Sequence, residues 1–299
     1  MSRDSVGHMP RTLRPGQSAQ LFTIDVATGE QTLVFESTDV LFEAPNWTPD
    51  GRWLVVNGDG RLFRISPEGG ELVEIDLGGI GELNNDHVLS PDGRTVYVSS
   101  DDGHLYAVPF EGGANRRVSN DRGQNFRYYL HGISPDGKQL AYIGLEILPD
   151  AVRTNVFTVP SAGGADMQLT NEDAPHDGSE FSPDGAWIYF NSERGSSQPG
   201  HAQLFRMDLD GEDVTQLTFD ERVNWFPHLS RDGQSLAYIS YPPGTRGHPA
   251  DLEVIIRIAD ADLAGARDLV HLFGGQGTLN VNSWDPTGTR IAYVAYPIA

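Results

Sequence analysis

The sequence predicts an all-β protein made of six similar units, each a four-stranded antiparallel sheet. One turn motif recurs six times along the 299 residues, and apolar and polar residues alternate after each copy, as they do in strands. A second glycine-containing hairpin follows most copies at a similar distance. The 34 glycines and 19 prolines fall at regular turns rather than in low-complexity runs. These observations indicate a repeat protein built from hairpins.

The first hairpin of each unit is centred on a turn related to Ser-Pro-Asp-Gly. Proline presets φ at the second position of the turn, aspartate follows readily, and glycine takes the left-handed conformation that closes it. Successive copies are 42, 44, 48, 48 and 55 residues apart, a period that is typical of β-propeller blades. The six turn glycines are Gly51, Gly93, Gly137, Gly185, Gly233 and Gly288.

Two hairpins make one blade, with strands A to D running from the axis outward. The second hairpins begin at Leu62, Leu105, Val156, Leu204 and, in a weaker form, Val254. The sixth turn lacks such a partner, whereas residues 21–35 have the pattern of a second hairpin but no preceding turn. We therefore expect these N-terminal strands to complete the sixth blade and close the ring, which leaves no open sheet edge. The prediction is a six-bladed β-propeller over residues 17–299, preceded by a flexible tail at residues 1–16.

The SPDG turns, the aromatic-rich B strands and the LFxxxxxGG hairpins resemble the PD40 (WD40-like) repeats of the TolB C-terminal propeller family. This resemblance covers residues 17–299 and implies a six-bladed propeller. Related repeats occur in prolyl oligopeptidase propellers, tricorn-like proteases and oligogalacturonate lyases, so the resemblance implies a fold more than an activity. The sequence contains no G-x-S-x-G motif and no α/β-hydrolase segment, which argues against a peptidase of the prolyl oligopeptidase type.

Composition excludes several classes of function. The net charge is −21, from 42 acidic and 21 basic residues, so a nucleic-acid partner is not expected. No apolar run approaches the roughly 18 residues of a membrane span, and the absence of cysteine excludes disulfides. The first 17 residues lack the apolar core of a secretory signal. We therefore expect a cytoplasmic protein, or a periplasmic one if a signal peptide precedes this sequence.

One end of the predicted channel is the expected location of function. The D–A connections and B–C loops share that end, and the B–C loops lengthen at residues 145–155, 193–203 and 241–251. Long loops on a rigid scaffold commonly carry function. Six residues at this end, each five positions before the serine position of its turn, are predicted to form a ligand-binding ring, which we call the collar: Glu43, Asn85, Tyr129, Asp177, Trp225 and Asn280.

Four histidines enter the same A strands and are candidate metal ligands: His87, His131, His176 and His228. Neutral imidazoles bind divalent transition metals, and nearby carboxylates such as Asp86 and Glu180 could complete the ligand set. The resemblance to oligogalacturonate lyase implies a histidine metal site of this kind. However, the four histidines are out of register with one another, and polar side chains at strand ends also satisfy backbone groups. The second interpretation, hydrogen bonding in the channel lining without a cofactor, is favoured here.

The leading hypothesis is a non-enzymatic binding or scaffold propeller that presents a polar channel mouth to a protein or peptide, or to a small ligand. The resemblance to TolB suggests peptide capture at this mouth, and no catalytic residue is assigned. The alternative is a metal-assisted lyase or hydrolase that acts on a small acidic, sugar-like substrate, with histidines as ligands and bases. Such a substrate would meet the arginines predicted at this end: Arg127, Arg153, Arg194, Arg222 and Arg246.

Overall fold

The structure, a computed structural model, describes residues 11–299. Within this range the regular secondary structure consists of β-strands. These residues contain no helix that could span a membrane. The strands are β1 (Ala19–Asp25), β2 (Gln31–Ser37), β3 (Phe42–Trp47), β4 (Leu54–Gly58), β5 (Arg61–Ile65), β6 (Val73–Glu74), β7 (Leu83–Leu89), β8 (Thr95–Ser100), β9 (Leu105–Pro109), β10 (Arg116–Arg117), β11 (Phe126–Ile133), β12 (Gln139–Ile147), β13 (Val152–Pro160), β14 (Met167–Gln168), β15 (His176–Phe181), β16 (Trp187–Ser192), β17 (Gln203–Asp208), β18 (Thr215–Gln216), β19 (Val223–Leu229), β20 (Ser235–Tyr241), β21 (Ala250–Asp260), β22 (Arg267–Gly275) and β23 (Arg290–Ala295).

These strands form the six antiparallel blades that the repeat predicts. Blades one to five are consecutive sets of four strands, from β3–β6 to β19–β22. The sixth blade has the order β2-β1-β23, so the N-terminal hairpin pairs with the C-terminal strand from Gln20↔Ala295 to Asp25↔Arg290. Its innermost segment makes only the bridge Trp284↔Ile291 instead of a full strand. The predicted closure of the ring by N-terminal strands is confirmed.

The described part of the predicted tail is fixed to the ring by two arginines, of which Arg14 pairs with Asp251 at 2.9 Å. Arg11 forms ion pairs with Glu43 (3.1 Å) and Asp251 (3.0 Å) and donates to the carbonyl oxygen of Gln276 at 2.7 Å. Its guanidinium also lies 3.9 Å from the centre of the Tyr296 ring. Residues 1–10 of the predicted tail lie outside the described residues. Residues 11–16 lie against the ring, because Arg11 binds groups from three different segments.

The turns repeat the same hydrogen bonds because they repeat the same residues. In the second blade, Ser90 Oγ donates to Asp92 Oδ1 at 2.6 Å, and the same carboxylate oxygen accepts from the Arg94 N–H at 3.0 Å. Each turn glycine has φ near +70°, where other residues are strained. The proline of one turn lies against the glycine of the next blade's turn, as Pro49 does against Gly93. The turns therefore form a continuous inner rim at one end of the channel.

A bulge near the start of the A strands positions the collar residues. The residue at this point has a positive φ in blades one, four and five, at Ala44, Gly178 and Phe226. At the bulge, the backbone N–H of the residue after the collar residue does not pair with its own B strand. In blades three and five a B-strand side chain of the preceding blade accepts from it: Ser99 Oγ from Leu130 N at 2.8 Å, and Asn191 Oδ1 from Phe226 N at 3.1 Å. Bulges of this kind redirect neighbouring side chains. Here the neighbour is the collar residue, one position earlier.

The apolar core lies between neighbouring blades rather than at one centre. For example, Ile143 and Val156 of blade three pack with Phe181 and Phe190 of blade four. Successive side chains of a strand point to opposite faces of its blade, and each face packs against a neighbouring blade, so apolar residues are needed on both faces. The channel is then left to the inner ends of the A strands, which carry the polar residues described next.

Candidate functional site

The six collar residues lie at equivalent positions in the six blades, but their surroundings differ. Asn85, Trp225 and Asn280 are buried, whereas Glu43, Tyr129 and Asp177 are partly exposed. Asn280 Oδ1 accepts a hydrogen bond from the Gly277 N–H at 2.8 Å, so this side chain supports its own loop. Glu43 binds Arg11 from the N-terminal segment.

Asp177 connects three blades at the loop-side mouth of the channel. Its Oδ1 lies 2.8 Å from His131 Nε2 of blade three, and its Oδ2 lies 3.6 Å from His248 Nε2 in the B–C loop of blade five. The rings of His131 and Phe226 stack with their centres 5.8 Å apart, and Trp225 lies 4.5 Å from His248. The collar carboxylate is thus held between two imidazoles, which are backed by aromatic rings.

The charges in this cluster stabilise one another. Burial by itself would lower the pKa of His131, but the negative charge of Asp86 and the hydrogen bond to Asp177 outweigh it and raise the pKa to about 9. Burial likewise opposes ionisation of Asp177, yet the hydrogen bonds from His131 and His248 bring its pKa below the usual value. Burial raises the pKa of Tyr129 to about 12. At neutral pH the mouth therefore holds a fixed imidazolium–carboxylate pair rather than a free base.

A second polar cluster lies deeper in the channel and links blades four, five and six. His228 contacts Glu180 Oε2 through Nδ1 at 2.6 Å and the carbonyl oxygen of Leu279 through Nε2 at 3.0 Å. Glu180 Oε1 accepts from Asn282 Nδ2 at 2.6 Å. Both ring nitrogens of His228 are therefore engaged, and the buried carboxylate has a partner on each oxygen.

The two remaining predicted histidines are buried and neutral. His87 Nδ1 lies 2.5 Å from Asn57 Oδ1, and burial lowers the pKa of His87 to about 3. Burial, together with the positive charge of Arg194, lowers the pKa of His176 to about 4. Neither ring nitrogen of His176 has a hydrogen-bond partner among residues 11–299. His176 packs edge-on against Phe190, with the ring centres 5.6 Å apart.

The structure does not bring the four predicted histidines together around one ion. Among the described residues, no group of three or more His, Asp or Glu side chains has an arrangement that could hold a metal. His131 and His228 instead bind Asp177 and Glu180, in different layers of the channel. The donor set implied by the resemblance to the lyases therefore does not fit this arrangement, and we derive no chemistry through a metal.

Sequence reasoning placed His248 at this end of the channel, but it did not predict the contacts that His248 and Arg11 make there. His248 lies in a B–C loop, and nothing in the repeat indicates that it reaches Asp177 of the preceding blade. Arg11 precedes the first repeat altogether. One predicted loop is also shorter than expected, since β12 and β13 extend to Ile147 and Val152 and leave only residues 148–151 outside strands.

Comparisons with known proteins agree with this architecture. The TolB beta propeller domain family, PD40, matches residues 133–254. An uncharacterized protein of Agrobacterium fabrum (strain C58), Atu1656, is 37% identical over 98% of this chain and 98% of its own length. A structure from Agrobacterium tumefaciens, described as a candidate TolB, has a TM-score of 0.85 at 34% identity and covers 95% of this chain and 99% of that one.

A more distant match concerns the alternative function. The structure of an oligogalacturonate lyase in complex with manganese has a TM-score of 0.59 at 17% identity, over 86% of this chain and 74% of that chain. At this identity the match to the lyase shows a shared fold alone.

The closed ring, its repeated turns and its polar channel define a six-bladed propeller of the PD40 class. This chain belongs to the TolB-type β-propeller family.

Proposed function

We propose that the chain is a non-enzymatic binding propeller that receives an extended protein or peptide segment at the loop-side mouth. The observation that carries this proposal is the seat of Arg11, where a basic side chain from an extended segment meets Glu43, Asp251 and the face of Tyr296. Guanidinium groups bind paired carboxylates and aromatic faces in this way. The proposed ligand is therefore a segment with an arginine or lysine side chain.

The surrounding charges favour the same class of ligand. Asp177 and Glu43 are partly exposed carboxylates at this mouth, and the chain as a whole carries a net charge of −21. Such a surface attracts basic segments and repels acidic ones. His131 and His248 are paired with Asp177, so the mouth presents a preorganised surface and not an activated nucleophile. We retain a cytoplasmic location as part of this proposal.

A labelled copy of the chain's own segment, RTLRPGQ (residues 11–17), tests the proposal directly. In the wild-type protein Arg11 occupies the seat, so the peptide should bind poorly. In the full-length Arg11→Ala variant it should bind at least about tenfold more tightly, because a charge-assisted hydrogen bond contributes at least about that much. Fluorescence anisotropy measures both affinities.

The control is the double variant Arg11→Ala, Asp251→Asn, in which Arg11 is absent and the carboxylate that pairs with Arg11 and Arg14 is also removed. Its affinity for the peptide should return to the wild-type level. Equal binding by the wild type and the Arg11→Ala variant would contradict a basic-segment site at this mouth, as would undiminished binding by the double variant.

The lyase alternative retains one supporting observation, the neutral His176 with no hydrogen bond on either ring nitrogen among residues 11–299. Elemental analysis of untagged protein after dialysis against Mn²⁺ separates the two functions. A stoichiometric metal that is lost in the His176→Ala variant, but kept in a variant of the exposed His271, would favour the enzyme. Metal-free protein that still binds the basic peptide would favour the binding propeller.

A further inference from the structure

A cavity lies among the turns, at the mouth of the channel opposite the loop-side mouth. It has a volume of about 240 Å³, and all six blades contribute to its wall. Much of this wall is apolar and includes Leu89, Ile133, Phe181, Leu229 and the prolines of four turns. Its wall reaches His131 but includes none of the groups that hold Arg11, so nothing below rests on the proposed function.

Arg231 is the exception in this rim. All five other turns place proline at this position, and each of these prolines lies against the turn glycine of the next blade: Pro49, Pro91, Pro135, Pro183 and Pro286. The fifth turn has Arg231 instead, and Gly288 of the sixth turn then lies near Ser230 and Asp232. The repeat therefore does not require arginine here, and its side chain faces the cavity.

The guanidinium of Arg231 has no hydrogen bond or ion pair in the part of the chain that the structure describes. The nearby carboxylates that interact with it electrostatically are Asp285 and Glu180, and both form hydrogen bonds with other groups. Glu180 binds His228 and Asn282, and Asp285 accepts from Thr287 and from backbone N–H groups of its own turn. Arg231 is exposed at the edge of this cavity, so a bound ligand can reach its guanidinium.

An accessible cation without a partner can pair with an anion, and an apolar wall favours an apolar group. We propose that the turn-side cavity binds an apolar carboxylate, whose body contacts the apolar wall and whose carboxylate pairs with Arg231. Arginine binds a carboxylate through two parallel N–H···O bonds, which makes this pairing specific. The net charge of −21 repels anions in general, so a ligand needs both the apolar body and the correctly placed charge.

Two sources supply this chemistry: the C-terminal residue of a peptide, and a free small acid. The first experiment uses 4-phenylbutyrate and its uncharged amide, 4-phenylbutyramide, with full-length protein and binding measured by ligand-observed NMR. The acid should bind at least about tenfold more tightly than the amide, because the bond to Arg231 is charge-assisted. Arg231→Pro, which restores the turn found in other blades, and Arg231→Met should both reduce acid binding to the level of the amide.

The control is Arg94→Met, since Arg94 follows the turn of the second blade, outside the cavity wall, and its loss should not change the affinity. Acetyl-Gly-Gly-Phe and its C-terminal amide then distinguish the sources. Tighter binding of the tripeptide acid than of phenylbutyrate indicates a peptide C-terminus, and the reverse indicates a small acid.

Three results would overturn the inference: equal affinity of the wild type for acid and amide, no binding of either acid, or an acid preference that persists without Arg231. The acid-to-amide comparison uses the wild type alone, so it stands even if a variant folds poorly. Thermal melting of each variant identifies that case.

Discussion

Asp50 and Asp136 illustrate how a single turn residue links sequence to stability. The hydrogen bond from Thr48 lowers the pKa of Asp50 to about 2, and that from Ser134 does the same for Asp136. The equivalent Asp92, Asp184 and Asp232 also have lowered pKa values, with the serine hydroxyl as the largest cause. Five turns therefore favour the ionised form of the same residue in the folded state.

The pH dependence of stability follows from these shifts. The ordinary pKa of aspartate is 3.8, so above that value the folded-state hydrogen bonds are fully present. As the pH falls from about 4 to about 2, the unfolded chain takes up protons that the folded turns do not, and the free energy of unfolding decreases. Urea titrations at several pH values should show this loss. Asp136→Asn should be less stable near neutral pH and lose less stability on acidification.

Glu68→Gln is the matched control, because Glu68 is an acidic residue of a different turn. This variant should keep the full wild-type decrease in stability between pH 4 and pH 2. If Asp136→Asn and Glu68→Gln have the same pH profile, the turn hydrogen bonds do not govern acid stability.

At the scale of elements, the A-strand bulges decide where the site residues point. The repeat indicates which residues occupy the collar positions, but the bulge comes from the backbone and leaves little trace in the sequence. Ala44 and Phe226 have positive φ without being glycine. The pairing of His131 with Asp177, and of His248 with the same carboxylate, depends on this local geometry and on loop lengths. The turns were predictable because their chemistry is local, whereas these contacts between blades were not.

Gly178 offers a test of the bulge. Its φ is +64°, and a methyl group there would lie 2.7 Å from Asn191 Oδ1, the atom that accepts from Phe226 N. Gly178→Ala should therefore lower the free energy of unfolding by about 2–4 kcal/mol, through backbone strain and the displaced hydrogen bond. Gly195 has a similar φ of +73° with nothing within 4 Å, so Gly195→Ala should cost only about 1 kcal/mol. If denaturant titrations show the same decrease in the free energy of unfolding for both variants, the contact with Asn191 does not contribute to stability.

For the whole molecule, closure of the ring is what brings six blades to one channel. The missing second hairpin after the sixth turn, and the unpartnered hairpin at residues 21–35, were enough to predict this closure. The sixth blade nevertheless departs from the repeat, because its innermost segment makes a single bridge at Trp284. Asparagine side chains take over part of the pairing there, as Asn282 binds both Glu180 and the carbonyl oxygen of Leu229. These side-chain hydrogen bonds replace backbone ones and depend on residues of the neighbouring blade, so the local sequence does not predict them.

Closure can be tested with engineered disulfides, because the chain contains no cysteine of its own. Gln20 pairs with Ala295 and Thr23 with Ala292 across β1 and β23. These two pairs lie an odd number of residues apart, so one of them is of the closer, non-hydrogen-bonded kind that accommodates a disulfide.

Oxidising the double-cysteine variant at that pair should join the first and last strands within one chain. Because the bond closes a loop that spans nearly the whole chain, the free energy of unfolding should rise by about 3–5 kcal/mol over the reduced protein. Non-reducing gel electrophoresis should show a monomer with altered mobility and guanidinium titration the added stability, while single-cysteine variants show neither. Disulfide-linked dimers at both pairs, with no intramolecular product, would mean that β1 completes the sixth blade of another molecule.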